Sequence, residues 1–322
     1  MKTGVPNPWL PTNWVVSETP IDADLPLVTI GVLNYNRREE LRQTLDCLTK
    51  AIQYPNVEII VVDNGSTDGS AEMVRAEFKD VTLIALEKNY ATPARNFFYK
   101  QAKGKYVFSY DDDSFPATPS TITEAVRFLE QRSDIAAVSF FCYQPITGFA
   151  ESGELQRFGF SGDPSSGYEG LFFVEGGMCI RKDAFSKIEG YDTDFIWGAE
   201  GADLTLQLYN RGMKTMYYPQ IATLHMKSQR NRNNNTNIKY FTRNYLWTIS
   251  KHFPIYIALP LSIFYILRKV LAMILHPDFI SGYVAGIGQG LSGFMKQRKK
   301  TKKLSLRQVI GLKRWYLFLY RW

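Results

Sequence analysis

A chain of 322 residues, 45% hydrophobic and 21% charged, has the apolar content for one large core or two ordinary ones, which excludes disordered, collagen-like and small disulfide-stapled proteins. Its net charge of +7 is unevenly spread: residues 226–322 carry 18 Lys+Arg and one acid, Asp278, leaving 20 bases against 30 acids in the first 225. The split points to two regions facing different partners, an acidic one fit for a cation and a basic one fit for nucleic acid or a lipid surface.

Residues 1–26 hold five of the fifteen prolines and no periodicity, so they read as an irregular lead-in. Residues 1–14 lack a continuous apolar run, which predicts no secretory signal peptide. Val28–Leu33 is a short apolar strand, and Arg37–Ile52 sets Leu41, Leu45, Leu48 and Ile52 on one helical face. Val57–Val62 reads as a second buried strand, followed by the turn Asn64-Gly65-Ser66-Thr67-Asp68-Gly69 and a helix near Ser70–Phe78. Val81–Leu86 is a third strand and Pro93–Lys103 a helix; Tyr106–Tyr110 is a strand that ends in Asp111-Asp112-Asp113. A helix over Pro119–Arg132 and a strand over Ile135–Tyr143 extend the alternation, the pattern of a mostly parallel sheet covered by helices on both faces. Past a Gly- and aromatic-rich stretch come a short helix at Asp203–Asn210, a strand ending at Pro219, and His225.

Cys47, Cys142 and Cys179 lie far apart with no CxxC pair, so neither a zinc knuckle nor a disulfide framework is expected, and the compartment reads as reducing. Sheets of this type bind ligands beyond the carboxyl ends of their strands. The residues there are Asn34, Tyr35 and Asn36, then Asp63 and Asn64, then Asp111, Asp112 and Asp113. No GxGxxG follows the first strand and no GxxxxGK[ST] occurs, which disfavours a dehydrogenase-type dinucleotide fold and a P-loop; the late cluster Gly286, Gly288 and Gly290 has no preceding strand and is not read as a phosphate loop. Three carboxylates at the end of a buried strand repel one another unless a cation neutralises them, and oxygen ligands favour Mg2+ or Mn2+.

Four segments in order carry a resemblance: VTIGVLNYNR (Val28–Arg37), EIIVVDNGSTDG (Glu58–Gly69), the stretch from Asn89 to Asp113 containing ARN and DDD, and Gly190–His225. Over roughly residues 27–225 the chain resembles a family 2 glycosyltransferase of the GT-A fold, of the non-processive, rhamnosyltransferase-like bacterial type. The resemblance implies nucleotide-sugar binding by Asn34, Tyr35, Asn36, Arg37, Asp63, Asn64, Arg95, Asp111 and Asp112, with Asp63 on the base and Arg95 facing the nucleotide. It implies a divalent metal, Mn2+ or Mg2+, held by Asp111, Asp113 and His225. The catalytic base it implies is Glu200 as first candidate, with Asp203 as the second, and Asp203 reads equally as a helix N-cap. Two positions depart from the family pattern: Gly201 stands where a second adjacent acid is usual, and Gln207 where an arginine is usual. Glu175, Gly176 and Gly177 are expected near the acceptor, and no QxxRW motif of processive members occurs. The implied reaction is a single inverting transfer of one sugar to a lipid-linked or polysaccharide acceptor. A nucleotidyltransferase and a non-catalytic binding protein are the alternatives.

Residues 226–322 read as a separate basic, aromatic, helical region. Phe253–Leu267 is charge-free but holds Pro254 and Pro260 and is too short to cross a bilayer alone. Gly282 and Gly286 show GxxxG spacing, residues 296–303 hold six bases in eight, and Trp315–Tyr320 is an aromatic close. The expectation is peripheral attachment of a cytoplasmic protein to the anionic inner face of the membrane, with no nucleic-acid partner.

Overall fold

The structure, a computed structural model, describes residues 25–145, 149–150, 167–170, 175–226 and 234–312. Most of the irregular lead-in and the closing aromatic segment at 315–320 lie outside the described residues.

The described residues group into two compact units. The first runs through Tyr90, then Ala94–Lys187, then from Met213 past His225. Its strands are β1 (Val28–Asn34), β2 (Val57–Asp63), β3 (Thr82–Ala85), β4 (Tyr106–Asp111), β5 (Ser114–Pro116), β6 (Ile135–Gln144), β7 (Phe149–Ala150), β8 (Tyr168–Glu169), β9 (Met178–Arg181) and β10 (Lys214–His225). They form one sheet ordered β3-β2-β1-β4-β9-β6-β10-β5, with β7 and β8 attached to β6 and β10. The parallel pairs are β1 with β2 and β4, β2 with β3, and β6 with β10; β9 and β5 run the other way. The mostly parallel α/β sheet expected from the alternation is therefore present.

Helices α1 (Arg38–Lys50), α2 (Ser70–Glu77), α3 (Arg95–Gln101), α4 (Thr121–Gln131) and the short α5 (Lys182–Phe185) belong to this unit. Leu41, Leu45 and Leu48 of α1 and Ile122, Val126 and Leu129 of α4 share one buried cluster with Val28, Ile30 and Val32 of β1. On the opposite face of β1, Gly31 admits α3: a Cβ there would meet the Phe98 ring at 2.3 Å. Helices thus cover both faces, and the site falls at the uncovered carboxyl ends.

The strand expected to stop at Pro219 continues to His225. Its pairing with β6 shifts register between Tyr218 and Ala222, the kind of irregularity that accommodates a proline inside a sheet. Beyond the shift, Thr223–His225 pairs with β5.

The second unit contains Ala91–Pro93, Ile188–Gly212 and the C-terminal helices. Its helices are α6 (Glu200–Asn210), α7 (Asn234–His252), α8 (Ile255–Leu275), α9 (Ile280–Arg298) and α10 (Leu306–Gly311). Residues 188–212 thus group with the C-terminal helices, whereas the change in composition had suggested a boundary at 225. Helix α9 lays a glycine ridge on α7: Cβ atoms at Gly282, Gly286 and Gly290 would fall 2.6 Å from Asn235 O, 2.7 Å from Lys239 O and 2.5 Å from Leu246 Cδ1. The small-residue spacing is used for close packing.

The two apolar stretches around Arg268 and Lys269 fuse into one 21-residue helix, α8, with Pro260 inside it. Its mean hydropathy reaches 1.9 over 18 residues, so this helix, which runs beyond the Phe253–Leu267 stretch, is long and apolar enough to cross a membrane. Ala258, Ser262, Tyr265 and Lys269 form its buried seam. Leu259, Ile263, Phe264, Leu267, Leu271 and Ile274 are exposed.

Candidate active site

β4 delivers the acidic run at its carboxyl end, and β5 turns back to pair Ser114 with His225. One ligand atom from each of Asp111, Asp113 and His225 lies within 4.8 Å of the others. His225 Nε2 stands 3.1 Å from Asp113 Oδ1 and 4.0 Å from Asp111 Oδ2. Two carboxylates and an imidazole, half-exposed only at Asp111, are a donor set that could hold a small divalent cation. Asp112 turns the other way and is buried. Arg37 Nη1 donates to Asp112 Oδ1 at 2.9 Å and to Asp113 Oδ2 at 3.2 Å, and the Tyr35 N–H donates to Asp112 Oδ2. Burial pushes the Asp112 carboxyl up to about 7, with Arg37 opposing and Asp113 and Asp111 adding to the rise. Of the residues expected to contact the donor, Asp112 and Arg37 are therefore engaged with each other.

Asn34 and Asp63 end β1 and β2 as register partners. Asn34 Nδ2 donates to Asp63 Oδ1 at 2.7 Å, and the Ser66 hydroxyl donates to the same oxygen at 2.5 Å. Ser66 Oγ accepts from the Asn36 N–H at 2.9 Å, and Asn36 Oδ1 accepts from the Thr67 N–H at 2.7 Å. Asn36 adopts a left-handed φ of 53°, which asparagine tolerates better than most residues. Asn64 pins the next loop, donating to Asn89 Oδ1 and accepting from the Tyr90 N–H. Asn34 Oδ1 is buried and has no hydrogen-bond partner among the described residues, an acceptor that a ligand N–H would satisfy. Ser66, the hub of this cluster, was not singled out from the sequence.

Arg95 is buried, 3% exposed. Its Nη1 donates to Ser109 Oγ at 2.8 Å and Tyr110 O at 3.1 Å, and Nη2 pairs with Asp111 Oδ1. This is neither a surface ion pair nor an open phosphate fork: the arginine braces a carboxylate of the acidic run. Gly176 lies against that carboxylate from another side, since a Cβ there would come 2.9 Å from Asp111 Oδ2; at Gly177 it would meet Thr223 Oγ1 at 2.7 Å.

In the second unit, Glu200 opens α6 and its Oε1 accepts from the Thr92 hydroxyl at 3.1 Å. Asp203 lies inside the first turn of that helix rather than at its cap and is 1% exposed. Lys251 Nζ donates to its Oδ2 at 2.9 Å, Gln207 Nε2 to the same oxygen at 2.8 Å, and His252 Nε2 stands 2.7 Å from Oδ1. Burial alone would raise the Asp203 carboxyl, but Lys251 and His252 outweigh it and hold it at about 2. Burial lowers His252, so Lys251 supplies the positive charge near neutrality. Gln207, at the position where an arginine was expected, joins this cluster and also donates to Gly190 O at 2.9 Å.

The basic run at 296–303 is engaged in part within its own unit. Lys300 pairs with Asp192 and Asp194, Lys296 with Asp194 at 2.7 Å, and Lys251 with Asp192 at 3.0 Å. Arg298 donates to Ser250 O and Phe253 O, and Lys303 to Lys251 O. Lys299 and Lys302 are exposed, as is Lys296 despite its ion pair. Part of the run's charge is thus used inside the unit, on Asp192, Asp194 and backbone carbonyls, and part stays on the surface.

Comparison with known proteins agrees with this architecture. The signature of Glycosyl transferase family 2 matches residues 29–189, half of the chain. The chain is similar to the UDP-Glc:alpha-D-GlcNAc-diphosphoundecaprenol beta-1,3-glucosyltransferase WfaP of Escherichia coli, 33% identical over 32% of this chain and 41% of that protein. It is also similar to the O-antigen biosynthesis protein RfbC of Myxococcus xanthus, 25% identical over 63% of this chain and 17% of that protein. The match thus spans less than half the length of either relative. Among solved structures, the mannosyltransferase PcManGT of Pyrobaculum calidifontis, in complex with GDP-Man and Mn2+, superposes with a TM-score of 0.54 at 18% identity, covering 94% of this chain and 83% of that one. GalNAc-T7, with UDP, GalNAc and Mn2+, gives a TM-score of 0.61 at 14% identity over 85% of this chain and 57% of that one. Both likenesses concern the fold, which is GT-A. The chain belongs to glycosyl transferase family 2.

Proposed function

We propose that the protein transfers one sugar from a nucleoside diphosphate sugar to a lipid-linked glycan acceptor, by a single inverting displacement, in cell-surface glycan synthesis. The observation that carries this reading is the convergence of Asp111, Asp113 and His225 at the strand ends that also present Asn34 and Asp63. Asp63 and the buried Asn34 Oδ1 are suited to accept from the base. Asp111, Asp113 and His225 would hold Mn2+ or Mg2+, which supplies charge neutralisation to the departing diphosphate. Arg95 and Arg37 keep the carboxylates of Asp111 and Asp113 aimed. Glu200 takes the proton from the attacking hydroxyl, because Asp203 has both oxygens engaged in a buried cluster.

The lipid-linked acceptor is favoured by two observations. The glucosyltransferase relative is named for a diphosphoundecaprenol acceptor. The exposed apolar face of α8 suits hydrocarbon, which supports attachment at the cytoplasmic face of the membrane.

A thermal-shift series with UDP, dTDP, GDP and CMP, each with and without Mn2+, tests the site. One nucleotide is expected to stabilise the protein only when Mn2+ is present, by about 2.7 kcal/mol at 100 times its dissociation constant. No shift with any nucleotide would overturn the transferase reading.

A further inference from the structure

We propose that Thr92 is a positioning residue that holds the carboxylate of Glu200 in its working orientation. The inference rests on the reading of Glu200 as the base. The Thr92 hydroxyl donates to Glu200 Oε1 at 3.1 Å, and the Thr92 N–H donates to Ile196 O at 3.3 Å. The segment Ala91–Pro93 is therefore tied twice to the loop leading into α6. Fixing one oxygen of a carboxylate fixes its plane, and with it the direction in which it takes a proton. A neutral hydroxyl suits the task, because it orients the base without the strong loss of basicity that a neighbouring Lys or Arg would cause.

Both sides of the contact are built under backbone strain. Ala91, which precedes Thr92, has φ 55°, and Ala199, which precedes Glu200, has φ 65°. Alanine enters the left-handed region only where the surroundings enforce it, and such residues cluster where geometry serves function. Here the enforcement is visible. Asn244 of α7, fully buried, donates to Trp197 O at 2.9 Å and Gly198 O at 2.7 Å. Trp197 packs edge-on against Phe241 with centroids 4.5 Å apart. Pro93 limits the conformations of Thr92 from the other side. Both Thr92 and Glu200 are half-buried, and Glu200 Oε2 is itself buried.

The experiment compares Thr92→Val, Thr92→Ser and Glu200→Gln in the full chain. Turnover is followed as nucleotide released from UDP-glucose, UDP-N-acetylglucosamine, dTDP-rhamnose or GDP-mannose, with water or GlcNAc-diphosphoundecaprenol as acceptor. Thr92→Val keeps the shape and loses the hydroxyl; kcat is expected to fall about tenfold, the worth of one charge-assisted hydrogen bond, with donor KM unchanged. Thr92→Ser restores the hydroxyl and is expected to keep kcat within about twofold. Thr92→Val with kcat at the parent level, or Thr92→Ser as impaired as Thr92→Val, overturns the proposal while leaving the base reading standing. Full turnover by Glu200→Gln, or no turnover of any donor by the unaltered protein, removes the base reading and the proposal with it.

Discussion

A histidine 3.1 Å from a buried carboxylate can be that group's hydrogen-bond donor or its co-ligand on a cation, and the roles separate when the carboxylate is neutralised. Asp113→Asn keeps the hydrogen-bonding shape but removes the charge. It is expected to abolish the Mn2+-dependent stabilisation by nucleotide while leaving the melting temperature without metal close to that of the parent. His225→Ala, which removes one ligand of three, is expected to raise the Mn2+ concentration needed by about 10- to 100-fold. Unchanged Mn2+ dependence in both variants would remove this cluster from the metal site. Asp63 and Asp111–Asp113 were legible in the sequence because each directly ends an apolar run, and a strand end in such a sheet is where ligands lie. Ser66 and Thr92 were not, because a small hydroxyl in a turn has no periodicity, and its importance lies in partners that only the folded backbone brings near. Thr92 and Glu200 are 108 residues apart. Lys251 reaches Asp203 across 48. No spacing rule encodes such pairs.

At the scale of elements, charge and apolarity change places between the sequence and the folded chain. The basic run near 300 looked like the membrane-seeking feature, yet Lys296, Lys300, Arg298 and Lys303 are engaged within their own unit. We propose that the exposed apolar face of α8 carries the attachment instead. Binding to liposomes is therefore expected to persist in 0.5 M salt, where the Debye length is under about 10 Å and electrostatic attachment fails. Ile263→Glu with Leu267→Glu is expected to release the protein, whereas Lys299→Glu with Lys302→Glu is expected to leave it bound. Salt-sensitive binding, or release by the lysine pair, would return the role to charge. The glycine ridge of α9 gives a second contrast. Gly286→Leu must push against Lys239 O and Thr242, neither of which can retreat far, and should destabilise by roughly 1–3 kcal/mol. Gly288 has nothing within 4 Å, so Gly288→Ala should stabilise by roughly 0.5–1 kcal/mol. Urea unfolding of the two variants, in detergent, checks the pair. The GxxxG spacing was visible beforehand; that a polar helix, α7, receives the ridge was not, because spacing names a face and not its partner.

At the scale of the whole molecule, the division into an acidic and a basic region is partly a division between partners in the same fold. Asp192, Asp194 and Asp203 come from the acidic side of the sequence, and Lys251, Lys296 and Lys300, which pair with them, from the basic side. Composition alone could not separate external from internal neutralisation, since both leave the same count of charges. The consequence is a strong dependence of stability on Lys251. Lys251→Met fills similar volume but leaves Asp203 charged, buried and facing only Gln207 and a neutral His252. At pH 7 the cost should be roughly 3–5 kcal/mol, as for breaking a buried pair at one end. The sign with pH follows from the native carboxyl. Asp203 is held at about 2, below the ordinary unfolded value, so its contribution is complete above about pH 4 and is lost as pH falls towards 2. In Lys251→Met the upward push of burial has lost its main opponent, so protonation of Asp203 relieves the variant as the medium is acidified. Urea unfolding of parent and variant at pH 7 and pH 3 should therefore show the stability gap shrinking at the lower pH. A gap equally large at both would mean that Lys251 acts through packing and that the Asp203 charge does not hold residues 188–212 to the C-terminal helices.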